Sequence, residues 1–233
     1  MEIDIIYSHF SKIRFERYLL ASNKDINKAI KLYKNNLRIS QSFLPILGIL
    51  EVILRNEINN ILSNYFKDDD WILNQLTGFM IDPKLTYKKE RREIHNHFLK
   101  NSIEKSVTKF NKKKVKITSA KIIADQDFGF WTEMFELTYY KILKGKPIQI
   151  FKNLPSGYGR KEVLYRINEI RKFRNRISHN EPICFIEQNM NFSYSKNIYS
   201  YILELLSWIN PELLKFTSDI DHVILKIRKA EIG

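Results

Sequence analysis

Arg174, Asn175 and His179 are the residues of this 233-residue chain whose types and spacing could do chemistry. They stand in RKFRNRISHNEPI, Arg171 to Ile183, where four cations fall within six residues and a histidine and a proline follow. Histidine can move a proton, and arginine can stabilise charge building on phosphorane oxygens, so the set suits cleavage of a phosphodiester in RNA. No metal is required if the ribose 2′-hydroxyl is the nucleophile. Asn175 and His179 are spaced i,i+4 and share a helical face, which lets the amide orient the imidazole. Arg174 lies roughly 140° around an ideal helix from His179 and can reach it through its long side chain, the more so if the helix unwinds ahead of Pro182.

Such a reaction wants a base for the 2′-hydroxyl and an acid for the leaving 5′-oxygen, and one chain offers one histidine in this company. A two-fold dimer would supply both. The competing reading is an ordinary basic helix end, with His179 capping carbonyls and Arg174 and Arg176 meeting acidic neighbours such as Glu181. Cys184 could pair with His179 as a nucleophile, but it lies five residues away beyond Pro182. A buried thiol after the turn is the simpler reading.

Other candidates carry weaker signals. His95 and His97, two apart in HNH, would face different ways on a helix and lack a wider set of metal ligands. The aspartates of DDDW, Asp68 to Trp71, read as a solvated cap, with a metal ion as the alternative. SGYGR, Ser156 to Arg160, could meet a phosphate, yet no strand precedes it and a connector fits as well. Glu51, Arg55 and Asn56 interrupt an apolar helical stripe, and Glu51 and Arg55 are placed to pair at i,i+4.

The elements that must position these residues are helical. Apolar residues recur at three- and four-residue spacing through most of the chain, and seven glycines and six prolines are few for this length. Helices are expected over Ser8–Ser22, over Asp25–Ile39 with Asp25 as N-cap, and from about Phe43 to Phe66 with Pro45 in the first turn. An aromatic core helix, carrying Phe128, Phe130, Trp131, Phe135 and Tyr139, should be broken or capped near Gly129. Further helices are expected over Lys161–Ser178, Asn197–Ile209 and Pro211 to about Lys229. Hydrophobic content of 44% supports one good core, hence a single domain over 1–233 with residues 83–121 as a basic insertion or protruding segment.

Formal net charge is +13, and the segment from Pro83 to Lys121 holds thirteen Lys/Arg against three Glu. Concentrated positive charge attracts polyanions, nucleic acid above all, so Lys112, Lys113 and Lys114 are candidate RNA contacts. A solubilising basic face is the alternative. A lone cysteine excludes an intrachain disulfide and fits a reducing compartment. The N-terminus MEIDIIYSHF lacks the basic start of a signal peptide, and the apolar run from Phe43 to Leu54 is shorter than the roughly 20 residues a bilayer needs. A cytoplasmic protein without a membrane segment is expected.

RNRISH has the R-N-x-x-x-H form of the HEPN ribonuclease motif. Together with AIKLYKNNLRIS, LGILEVILRNEINNIL, FGFWTEMF, IRKFRNRISHNEPI and LSWINPEL, it makes the chain resemble the Abi-like (abortive infection, AbiD/AbiF-type) family of bacterial phage-defence proteins across nearly its whole length. The resemblance implies an all-α HEPN-type helical bundle and a homodimer with a composite active site. It also implies metal-independent, cofactor-free endoribonuclease activity that leaves a 2′,3′-cyclic phosphate and a 5′-hydroxyl. Arg174 and His179 match the motif's catalytic positions and Asn175 its polar one. Glu51, Arg55 and Asn56 match the L-E-x-x-x-R-N block and, with Arg176 inside the R-N-x-x-x-H motif, are implied as residues lining or bracing the site. A toxin-like activity leaves room for an antitoxin, protein or RNA. Two other functions stay open: a non-catalytic RNA-binding or regulatory protein acting with a partner, and a sensor subunit whose toxicity depends on another protein.

Overall fold

The computed structural model describes residues 3–90, 92–187 and 189–232. Among them the fold is all-α, with two short hairpins as its only sheet. The chain opens with α1 (Ile3–Phe10) and α2 (Lys12–Ala21), where a single helix was expected. Ser11 separates them at φ 68°, a left-handed conformation that cannot continue a right-handed helix.

Asp25 then starts α3 (Ile26–Phe66), its carboxylate accepting the Lys28 N–H at 3.0 Å. The two helices expected over this stretch are one 41-residue helix that runs through Pro45. An interior proline forfeits a hydrogen bond and costs about 3 kcal/mol. Phe43, Ile46 and Leu50 are each fully buried around it, worth about 1.5–3 kcal/mol apiece, so packing outweighs the break.

α4 (Trp71–Asn74) follows the DDDW run. The basic segment forms a hairpin, β1 (Thr86–Lys89) against β2 (Arg92–His95) with Thr86 opposite His95, and then α5 (Phe98–Lys112). α5 is amphipathic: Leu99, Ile103 and Ser106 are buried, at the spacing of one helical face. α6 (Ser119–Asp125), α7 (Phe128–Glu133) and α8 (Leu137–Ile142) come next. All five aromatics expected in the core are buried. The Asp127 carboxylate caps α7 by accepting the Phe130 N–H at 3.0 Å, which is the cap expected near Gly129, and a further break falls after Glu133.

α9 (Arg160–Ser178) carries the cationic stretch. It leads through β3 (Phe185–Ile186), paired with β4 (Asn189–Met190), into α10 (Ser193–Ile209). The chain ends in α11 (Glu212–Thr217) and α12 (Val223–Ile232), divided where one helix was expected.

The chain divides into two compact units. One comprises Met1–Gly48, Glu169–Leu206 and Glu212–Gly233; the other comprises Ile49–Asn168 and Ser207–Pro211. The core of the first unit is built on Phe15, Tyr18, Phe43, Phe173 and Phe185, with Phe43 and Phe173 edge to face at 4.7 Å. In the second, Trp71, Phe79, Phe130, Trp131 and Tyr139 are buried, and the Tyr139 hydroxyl donates to the Asn96 carbonyl at 2.7 Å.

The apolar run from Phe43 to Leu54, too short by itself to span a bilayer, belongs to a helix that is long and apolar enough to do so by length and composition. Nearly half of the most apolar stretch of α3 is buried inside the protein, which is also the pattern of a core helix in a soluble protein.

Candidate active site

The stretch after Ser178 is a helix terminus built without glycine. Asn180 takes a left-handed φ of 51°, its N–H reaches back to the Ile177 carbonyl at 3.0 Å, and the Glu181 N–H reaches the Arg176 carbonyl at 2.8 Å. This pair of reverse bonds is a Schellman motif, and it makes His179 the C-cap residue of α9. Asparagine tolerates the left-handed region better than most side chains, which is why Asn180 can stand where glycine is usual. Proline two residues later then forbids helical continuation.

The chain beyond Pro182 is pinned by buried polar side chains. The Asn36 side-chain oxygen, on α3, accepts the Ile183 N–H at 2.8 Å, and the Ser195 hydroxyl, on α10, donates to the Ile183 carbonyl at 2.7 Å. Both side chains are buried, at 1% and 0% exposure, so Ile183 is fixed from either side. α2 adds two further ties. Arg14 donates from Nη2 to the His179 carbonyl at 3.3 Å, and Arg17 donates to the Glu187 carbonyl while its guanidinium lies 4.7 Å from the Phe185 ring. Phe15 and Tyr18, both buried, anchor the α2 turn that carries these arginines, with Tyr18 edge to face on Phe185 at 5.2 Å.

On this scaffold the candidate residues differ in their surroundings. His179 and Asn175 are exposed, and Arg174 is half-buried. The His179 N–H donates to the Asn175 carbonyl at 3.0 Å, so the two are linked through the backbone. Among the described residues no hydrogen bond joins the Asn175 amide to the His179 imidazole. Arg176 is used structurally: it donates to the Pro182 carbonyl, lies 3.6 Å from the Glu181 carboxylate and 5.7 Å from the Tyr194 ring. The pairing with Glu181 expected for an ordinary helix end therefore holds for Arg176, which braces the turn.

Glu51, Arg55 and Asn56 belong to the other unit, on the later part of α3. Arg55 donates to the Ala124 carbonyl at 3.4 Å and, among the described residues, forms no ion pair, with Glu51 or otherwise. Glu51 is half-buried and Asn56 exposed. Lys112, Lys113 and Lys114 are exposed at the end of α5, which also closes on a left-handed residue, Lys114 at φ 53°. The Val115 N–H reaches the Phe110 carbonyl there at 2.9 Å, and the lysines sit where the helix dipole is negative. A groove of about 580 Å³ runs along α5 between Glu104, Lys105, Lys109, Lys112 and Lys113. Lys109 is engaged by Asp125, whose carboxyl burial would raise and which the hydrogen bonds from Lys109 and Ser106 hold below its ordinary range.

The remaining candidates have structural partners. Asp68 accepts the Asp70 N–H at 2.9 Å and the Asn74 amide at 3.0 Å, and Asp70 accepts from Ser119. Among the described residues no group of three or more His, Cys, Asp or Glu could hold a metal ion. His95 lies on a strand and His97 at the start of α5, so the helical spacing considered for them does not apply; their rings are 5.6 Å apart, and the Thr86 hydroxyl meets His95 Nδ1 at 2.9 Å. Gly159, in SGYGR, donates to the Glu162 carboxylate at 2.8 Å. Cys184 is fully buried, and burial pushes its thiol up to about 12, which removes it as a nucleophile near neutrality.

Sequence reasoning missed Arg14, Arg17 and Asn36. Arg14 and Arg17 are two cations among 39 Lys/Arg, and nothing local distinguishes them before α2 meets the turn after α9. Asn36 falls inside AIKLYKNNLRIS, where its polar side chain on an apolar helical face was the available signal.

An all-α chain with an exposed histidine capping a cationic helix end narrows the class without naming it. The family model described as Abi-like protein matches residues 6–184, a span that includes Arg14, Asn36, Arg174 and His179, and the chain belongs to this family. Membership points to abortive infection, a form of phage defence. No curated protein and no solved structure matches the chain.

Proposed function

We infer that the protein is a metal-independent endoribonuclease of bacterial phage defence, of the HEPN type, acting in the cytoplasm. The observation that carries this reading is the exposed His179 at the C-cap of α9, five residues after Arg174 in the R-N-x-x-x-H arrangement and within the family-matched span. In the reaction the 2′-hydroxyl attacks the adjacent phosphorus as His179 moves the proton, and the 5′-oxygen leaves with a proton from a second group. Arg174 stabilises the charge on the non-bridging oxygens. The second group is the partner copy's histidine in a homodimer with a composite site. Asn175 stands beside the pair, Arg176 holds the turn, and Lys112, Lys113 and Lys114 attract the RNA backbone.

Purified protein incubated with labelled RNA in excess EDTA tests the reading. Wild type is expected to cut, and His179→Ala and Arg174→Ala to lose cleavage while retaining fold. Absence of cleavage by wild type on any cellular RNA overturns the enzyme; unchanged cleavage by both variants overturns the site. The exposed lysines at the end of α5 favour one second reading, an RNA-binding regulatory protein without turnover, in which RNA binds and is never cut.

A further inference from the structure

We propose that Arg14 is a substrate-contact residue of the same site, gripping an RNA phosphate next to the one His179 acts on. The inference rests on the assignment of His179 and begins from how Arg14 is held. Its Nη2 donates to the His179 carbonyl at 3.3 Å, and the side chain is exposed. A guanidinium has five N–H donors, so this bond ties it to the helix end and leaves most of its donors for another acceptor. The carbonyl and the imidazole belong to one residue and are only a few bonds apart, so a cation hydrogen-bonded to the first lies in the neighbourhood of the second.

Its charge also has no carboxylate partner among the described residues. Among the described residues neither Arg14 nor Arg17, one turn further along α2, forms an ion pair with a carboxylate. Arg17 is engaged by the Glu187 carbonyl and the Phe185 ring, whereas among the described residues Arg14 makes one backbone bond. A cation bound to the helix end, without a carboxylate partner among the described residues and beside an exposed histidine, matches a phosphodiester, whose non-bridging oxygens accept hydrogen bonds from a planar fork. A helix cap alone also explains a bond from arginine to a terminal carbonyl, and the two roles differ in measurable ways.

The test measures binding of single-stranded RNA across a salt series, using full-length His179→Ala protein so that the RNA stays intact, with and without Arg14→Gln. Loss of one phosphate contact lowers the slope of log K against log salt by about 0.7, and Arg14→Lys keeps it. In the active protein Arg14→Gln is expected to raise KM about tenfold with kcat little changed, the signature of a contact already made with bound substrate. An unchanged salt slope, or a fall in kcat at constant KM, overturns the proposal and makes Arg14 a structural cap. Failure of His179→Ala protein to bind RNA at any salt overturns the proposal together with the ribonuclease reading, whereas an unchanged slope on RNA that does bind removes Arg14 alone.

Discussion

Asn36→Ala is the substitution expected to damage the site scaffold most for the fewest atoms removed. Asn36 is 1% exposed, and its side-chain oxygen is the acceptor for the Ile183 N–H at 2.8 Å, in surroundings where Ile183 itself is 1% exposed. With the acceptor gone, that N–H has no water to turn to, and an unsatisfied buried donor costs about 1–3 kcal/mol. The small cavity left by the amide adds to this, so a total of about 2–3 kcal/mol is expected. For a chain of this size each kcal/mol lowers Tm by about 2–4 °C, giving a fall of about 4–12 °C. Ser195→Ala, which removes the donor to the Ile183 carbonyl, should cost about 0.5–1.5 kcal/mol. Because both act on one residue, the double variant should depart from additivity by at least about 0.5 kcal/mol. Urea denaturation of the four proteins supplies these numbers. A cost below about 0.5 kcal/mol for Asn36→Ala, or strict additivity, would refute the claim that the two side chains jointly pin the turn.

Three further outcomes follow from the same structure. The Cys184 thiol is held up from 9.0 to about 12, so the fold favours its neutral form; the stability this brings is complete below about pH 9 and drains away above it at about 1.4 kcal/mol per pH unit. Cys184→Ala should lose stability less steeply than wild type between pH 9 and 10, and identical slopes would contradict the burial argument. Replacing Lys112, Lys113 and Lys114 by glutamine should weaken RNA binding and flatten its salt dependence by up to about 2 in slope, checked by titration at several salt concentrations. Mixing His179→Ala protein with wild type should lower cleavage by more than dilution, whereas strictly proportional loss would argue for independent sites.

How much of this was legible in the sequence depends on how local the cause is. Apolar spacing announced the all-α class and the buried aromatics from Phe128 to Tyr139, because burying one face of a helix requires that pattern. Element boundaries were less visible. Pro45 reads as a helix start, and only the packing of Phe43, Ile46 and Leu50 shows why the helix passes through it. Ser11 carries no sequence signal for its left-handed conformation. At the site, the end of α9 was foreseeable from Pro182, and Asn180 supplied the turn. Arg14 and Asn36 were not, since each acquires its role through a bond to a segment about 150 residues away along the chain, at separations of 165 and 147. The pairing of Glu51 with Arg55 fits helical spacing, yet the Ala124 carbonyl lies where the guanidinium can use it.

The most direct test of the ribonuclease reading is the chemistry of the RNA ends. RNA cut by wild type in excess EDTA should carry 2′,3′-cyclic phosphate at one new end and 5′-hydroxyl at the other, and His179→Ala should yield neither. Ends bearing 5′-phosphate and 3′-hydroxyl, or cleavage that persists in His179→Ala, would contradict attack by the 2′-hydroxyl with His179 moving the proton.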